Sequence, residues 1–402
     1  MRIDKNTTIR LGDRNIVKIK IGDSVIWQKS TEPVVGPDYF YIESLGDGNT
    51  ISVKNQGNGD TDNVTPTLEY STDKSTWNTI TFDWTSGEHT TELPVKLNTG
   101  EKMYFRNDTR LFSNSSSKYI TFSSSVSSNV GGDIRTLSNY LDVDNETTAQ
   151  TNMFYSLFIY NKNIVDASNL RLPYTTLADN CYIGMFYGCT SLTTAPALPA
   201  TTLASSCYYG MFNNCTSLTT APELPATTLV PNCYDSMFKK CTSLTTAPEL
   251  PATTLASSCY YNMFNGCTSL TTAPELPATT LKYDCYLNMF SGCTSLTTAP
   301  TLPATTLASE CYYNMFQGCT SLTTAPELPS KSLESYCYWN MFSDCSKLNS
   351  ITVYADDISA SSCTNNWLYG VSSTGTFRNL GSATYTTDSP SGIPSGWTEV
   401  KK

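Results

Sequence analysis

The chain has 402 residues, 39% of them hydrophobic, and 25 Lys+Arg against 35 Asp+Glu leave a formal net charge of -10. That length exceeds one ordinary core and points to two or three modules. An acidic balance with no Lys/Arg cluster excludes nucleic acid as a partner, and no run nears the ~18 apolar residues of a membrane span.

The start, Met1-Arg2-Ile3-Asp4-Lys5-Asn6, lacks the charged-then-apolar run of a secretory signal. The expectation is a chain made in a cytoplasm and kept there until an assembly carries it out. Residues 1–29 read as a small β module, from Thr8-Ile9-Arg10-Leu11 and a hairpin in which Gly22-Asp23 turns between Asn15–Ile21 and Ser24–Trp27. So small a unit needs a partner surface, so it is expected to dock on one. Residues 30–37, with Pro33, Gly36 and Pro37, read as a linker.

Residues 38–140 carry short strand-like runs at 39–42, 50–53, 67–70, 77–82, 102–105 and 119–122, the pattern of a β-sandwich-like domain. Beyond it, from Cys181 to Cys363, cysteines alternate at spacings of eight and eighteen, so the chain repeats every 26 residues. A fixed period of this size marks a solenoid whose units bury their apolar side only by stacking. Residues 150–363 are assigned to it, with an atypical first unit in which Asn161 takes the cysteine place, and residues 364–402 form a C-terminal cap.

Within a unit, Ser257-Ser258 caps and Gly266 ends an expected short helix, with Cys259, Met263 and Phe264 inward. Leu270, Leu276 and Leu281 continue the core along a short strand that Pro274 and Pro277 interrupt. The fold class expected is therefore a mixed α/β solenoid, a short strand plus a short helix per turn, preceded by all-β modules. Two cysteines flanking such a helix lie about 12 Å apart, beyond disulfide reach, whereas the same cysteine in successive coils could come within about 5 Å, so an inter-coil bridge stays open beside the expected reduced, buried thiols. Cys-x7-Cys is no zinc spacing and the single histidine, His89, lies outside the repeats, so neither metal nor cofactor is assigned.

The Met-Phe-x-x-Cys-x-x-Leu core, with Leu-Pro and a following Leu, and the closing residues 367–377 and 392–397, resemble the BspA-type leucine-rich repeats of bacterial surface proteins and of phages of gut bacteria. The resemblance spans roughly residues 150 to 400 and implies adhesion or interaction without a fixed ligand.

Tyr182, Tyr208, Tyr234, Tyr260, Tyr286, Tyr312 and Tyr338 follow the first cysteine of each pair and read as a structural ladder. The next position varies, through Ile183, Tyr209, Asp235, Tyr261, Leu287, Tyr313 and Trp339, which suggests exposure. Tyr209, Tyr261, Tyr313 and Trp339 are the candidate ligand-binding strip, able to stack on sugar rings or anchor a protein. Positions 204–206, 230–232, 282–284 and 334–336 vary as well, as a displayed surface would, and Glu223, Glu249, Glu275 and Glu327 form an exposed acidic stripe. With one histidine and no phosphate loop, no catalytic residue is assigned and an enzyme is not expected.

The expected function is a phage fibre or decoration protein of the virion. Residues 1–29 would bind other virion proteins, and the solenoid would meet a host surface protein or glycan. The alternative is a bacterial cell-surface adhesin or interaction module, and a homo-oligomer is compatible with a fibre.

Overall fold

The computed structural model describes residues 9–11, 14–16, 18–21, 24–28, 37–57, 68–82, 87–108 and 118–402. The chain divides into two compact units, Met1–Asp38 and Tyr39–Lys402. In the first, strands β1 (Ile9–Leu11) and β2 (Arg14–Ile16) pair antiparallel, as do β3 (Lys18–Ile21) and β4 (Ser24–Gln28). The expected Gly22-Asp23 turn and residues 30–36 of the expected linker lie outside the described residues.

The second unit opens with β5 (Phe40–Ser44), β6 (Asn49–Gly57), β7 (Leu68–Ser71), β8 (Asn78–Ile80), β9 (Gly87–Leu97), β10 (Lys102–Arg106), β11 (Tyr119–Ser124) and β12 (Ser128–Asp133). Six of these coincide with the runs expected from sequence; β9 and β12, rich in polar residues and glycine, do not. His89, the single histidine, sits inside β9 opposite Asn55 of β6. One sheet runs β12-β5-β10-β7-β8, the other β11-β6-β9. They face each other through Phe40 and Phe105 of the first against Phe122 of the second, with ring centroids 5.4 and 4.8 Å apart.

The sandwich continues into the solenoid without a break in the core. Strand β13 (Ile164–Arg171) joins the larger sheet by parallel pairing with β12, and Phe122 packs on Phe158 of the first coil at 6.2 Å. The Phe122 amide donates to the Leu157 carbonyl. At the far end β14 (Ser350–Val353), β15 (Gly375–Asn379) and β16 (Trp397–Lys401) form a parallel sheet.

The coils between them contain no helix, which overturns the expected strand-plus-helix repeat. Among the described residues helix is limited to Thr136–Asn139 and a single 3-10 turn at Val143–Asn145, both ahead of the repeats. The segment expected to be helical is a ribbon of linked β-turns. In one coil Cys259, Tyr261, Met263, Asn265 and Cys267 donate their amides three residues back, while Ser258, Tyr260, Asn262, Phe264 and Gly266 donate theirs to Tyr283, Cys285, Leu287, Met289 and Ser291 of the next coil. A helix would keep all these donors to itself; the ribbon spends every second one on its neighbour, so the coils are laced together.

Every fourth residue of the ribbon has positive φ, as at Ser258 (54°), Asn262 (53°) and Gly266 (75°). This is the value a type II turn demands at its third position, and it explains the Asn, Ser, Asp and Gly found there. Expected as the helix cap and the helix end, Ser258 and Gly266 are two equivalent turn positions. The strand part of each coil shrinks to single bridges between threonines, such as Thr220↔Thr246 and Thr228↔Thr254.

Candidate functional site

What the coils bury leaves little side-chain chemistry free. The first-column tyrosines stack in register at 5.7–6.0 Å from Tyr182 to Tyr338, and the phenylalanines from Phe186 to Phe342 do so at 5.5–5.7 Å. Burial holds these phenols well above the usual tyrosine range. All fifteen cysteines are buried and unbridged, and burial raises their thiols too, Cys233 and Cys293 to about 12. A thiol held protonated is neither nucleophile nor metal ligand. Among the described residues no three His, Cys, Asp or Glu side chains are grouped to hold a metal.

The two cysteine columns differ in use. The second-column thiols, from Cys189 to Cys345, each donate to a phenylalanine carbonyl of the preceding coil at 3.0–3.2 Å. Asn161 makes the equivalent bond to the Phe122 carbonyl, at 3.3 Å, which is why an amide can replace the thiol in the first unit.

The variable column is where polar and aromatic groups reach the surface, though not uniformly. Tyr209 is 42% exposed; Ile183, Tyr261, Tyr313 and Trp339 are half-buried, and Asp235 and Leu287 are buried. Variation in this column therefore does not mean full exposure: coil-to-coil packing covers the smaller members. The structure brings Tyr313 and Trp339 together as a parallel stack at 5.9 Å and 5°, and it keeps Tyr209 apart from that stack by three coils.

Two residues that the candidate strip left out complete the surface. Tyr283 is 49% exposed, and Tyr336 leans on Trp339 at 5.4 Å. Both lie at positions that vary between units, 282–284 and 334–336, and that variation was their signal in the sequence. Acids sit among the rings. Burial raises Asp235 to about 6, against a Ser236 hydroxyl that donates to it at 2.7 Å. Burial and then the Glu310 charge raise Asp284 to about 6. Asp235 and Asp284 both bear electrostatically on the Tyr261 phenol. The strip thus pairs flat apolar ring faces with the half-buried Asp284 carboxylate on a rigid support, Asp235 being buried. Such an arrangement can stack on a ring and accept from its hydroxyls, or take an aromatic or basic side chain. The Glu223, Glu249, Glu275 and Glu327 carboxylates are exposed, as expected of a solvated stripe.

A family model described as a BspA type leucine rich repeat region matches residues 181–286 and 258–389, with six copies. The two stretches together cover just over half of the chain. No curated protein and no solved structure matches it.

Proposed function

Because the chain belongs to the BspA-type leucine-rich repeat family, whose repeat regions serve protein interaction and adhesion rather than catalysis, we propose that it is a virion-borne adhesion protein. In this reading the unit Met1–Asp38 docks on other virion proteins and the solenoid meets a host surface glycan or protein. The observation that carries the adhesive part is the strip of Tyr209, Tyr261, Tyr313 and Trp339, set beside Asp284 on coils whose first-column tyrosines and stacked phenylalanines are buried. Support for the docking part is the separation of the first 38 residues as their own compact unit.

The test has two arms. Replacing all four strip residues with alanine abolishes binding to a glycan array or to host cells while the thermal transition stays; unchanged binding removes the strip. Mass spectrometry of purified particles detects the chain in the virion. Finding it instead in a cell-envelope fraction supports the alternative, a bacterial cell-surface adhesin, which the family membership favours equally.

A further inference from the structure

Each coil hands backbone donors to the next, and the last coil has no next. In the coil before it, the amides of Tyr336, Tyr338, Asn340, Phe342 and Asp344 donate to the carbonyls of Ser361, Cys363, Asn365, Trp367 and Tyr369. The equivalent donors of the last coil are Ser362, Thr364, Asn366, Leu368 and Gly370. Among the described residues only the Asn366 amide of this set meets a carbonyl, that of Pro390. The Thr364 hydroxyl reaches the Ser391 carbonyl at 3.1 Å, and the Trp367 indole the Gly392 carbonyl at 2.8 Å. Residues 390–392 therefore cross the middle of the final face as a strut. Beyond it the Leu368 and Gly370 amides have no acceptor among the described residues. Alongside them lies a 420 Å3 cleft whose walls include Leu368, Tyr369, Gly370, Val371, Ile393 and Pro394. Tyr369 stands at its rim, 66% exposed.

The polarity of this face says what fits it. The carbonyls of Trp367 and Tyr369 are taken by the preceding coil, and those of Thr364 and Asn366 close the turns, so the ribbon offers amide donors outward. Two copies meeting end to end by a twofold axis would set donor against donor. A head-to-tail copy is blocked as well, because β11 lies across the first coil through Tyr119 on Tyr155 and Phe122 on Phe158. The occupant must supply carbonyls in the register that a further coil would. Inside the solenoid that register is explicit. Phe186 and Gly188 donate to Met211 and Asn213, and the side chain between them, Phe212, stacks on Phe186 at 5.6 Å. Leu368 and Gly370 occupy the places of Phe186 and Gly188.

We propose that the cleft at Leu368–Gly370 takes a short segment of a partner protein, bound as half of a further coil in the same linked-turn conformation. Two of its carbonyls, two residues apart, accept from the Leu368 and Gly370 amides, and the apolar side chain between them enters the cleft against Leu368. This is the turn-ribbon counterpart of strand addition to an unpaired edge. The surface is distinct from the aromatic strip and stands or falls independently of it.

The test uses the full chain and an end-blocked peptide, Tyr-Asn-Met-Phe-Asn-Gly, copied from residues 261–266. Residue-resolved amide exchange shows Leu368 and Gly370 slowed by about tenfold or more at saturating peptide, with the interior coils unchanged. The same peptide with aspartate for its phenylalanine gives no protection. Val371→Glu, which places a charge in the cleft wall, loses the protection while its thermal transition stays. Absence of protection at millimolar peptide overturns the proposal. So does equal protection by the aspartate peptide or by sodium acetate, which would mark a simple anion site, and so does protection confined to the Tyr209–Trp339 strip.

Discussion

The two ends of the solenoid solve one problem differently. At the N-terminal end a strand of the sandwich substitutes for a coil: the Phe122 amide reaches the Leu157 carbonyl, its ring continues the phenylalanine stack, and its carbonyl accepts from Asn161 as coil carbonyls accept from cysteine. At the C-terminal end the parallel sheet of β14, β15 and β16 closes the threonine side, but among the described residues the turn ribbon is bridged only at its centre. A cap made from a registered strand satisfies backbone and side chains at once. One made from a single strut leaves donors over. The contrast shows that what needs capping in this repeat is the backbone ladder as much as the apolar core.

The sharpest way to break this comparison is at its two aromatic ends. Phe122→Ala removes a fully buried ring from the seam and should cost about 3–5 kcal/mol in denaturant unfolding. Tyr369→Ala at the open end should change stability by less than ~0.5 kcal/mol. Equal costs would mean that the sandwich is not a cap.

The interior coils sharpen it further. Cys241→Ser keeps a donor for the Phe212 carbonyl, whereas the Cys233 thiol meets the backbone of Val230 and Tyr234 and, among the described residues, donates to no carbonyl of the preceding coil. Serine at 233 should therefore cost about 1–3 kcal/mol more than at 241, measured by urea midpoints at constant slope.

Asp235 carries a pH signature. Burial holds its folded carboxyl at about 6 against an ordinary 3.8, so the unfolded chain loses this proton first. Stability should fall as pH rises from about 4 to about 6 and stay lower above that, by on the order of 1–3 kcal/mol. Asp235→Asn should remove its share of the decline and leave that of Asp284, which burial and the Glu310 charge also raise to about 6, so variant and parent are equal near pH 3.5 and the variant is more stable at pH 7.

A pair of substitutions at one turn position separates ribbon from helix. Asn288 has φ of 54°, so Asn288→Ala should destabilise by about 1–2 kcal/mol and Asn288→Gly should be neutral or stabilising. A helix would show the reverse order, because alanine favours it and glycine does not.

Much of this was legible in the sequence. The period of 26, the inward Cys, Met, Phe and Leu positions, the tyrosine ladder and the acidic stripe all follow from identical residues needing identical surroundings. The helix did not follow, and the reason is specific. Left-handed residues recur every fourth position along the ribbon, so Cys259, Met263 and Cys267 line one face as they would with the 3.6-residue period of a helix. The Ser258, Asn262, Gly266 series was the distinguishing signal, since helix interiors disfavour all three residues. The strip was legible in part. Tyr209, Tyr261, Tyr313 and Trp339 were named, yet which of them is covered depends on what the adjoining coil places beside it.

The amino-acid order by itself determined that this protein is a stacked repeat with a dry interior, because a side chain recurring at a fixed interval can be buried only by its own copies. Only the tertiary structure decided where the alternate amides go. That choice between a self-contained helix and a ladder laced from coil to coil is made by carbonyls 25 residues away, and it is what leaves the last coil with donors to spare.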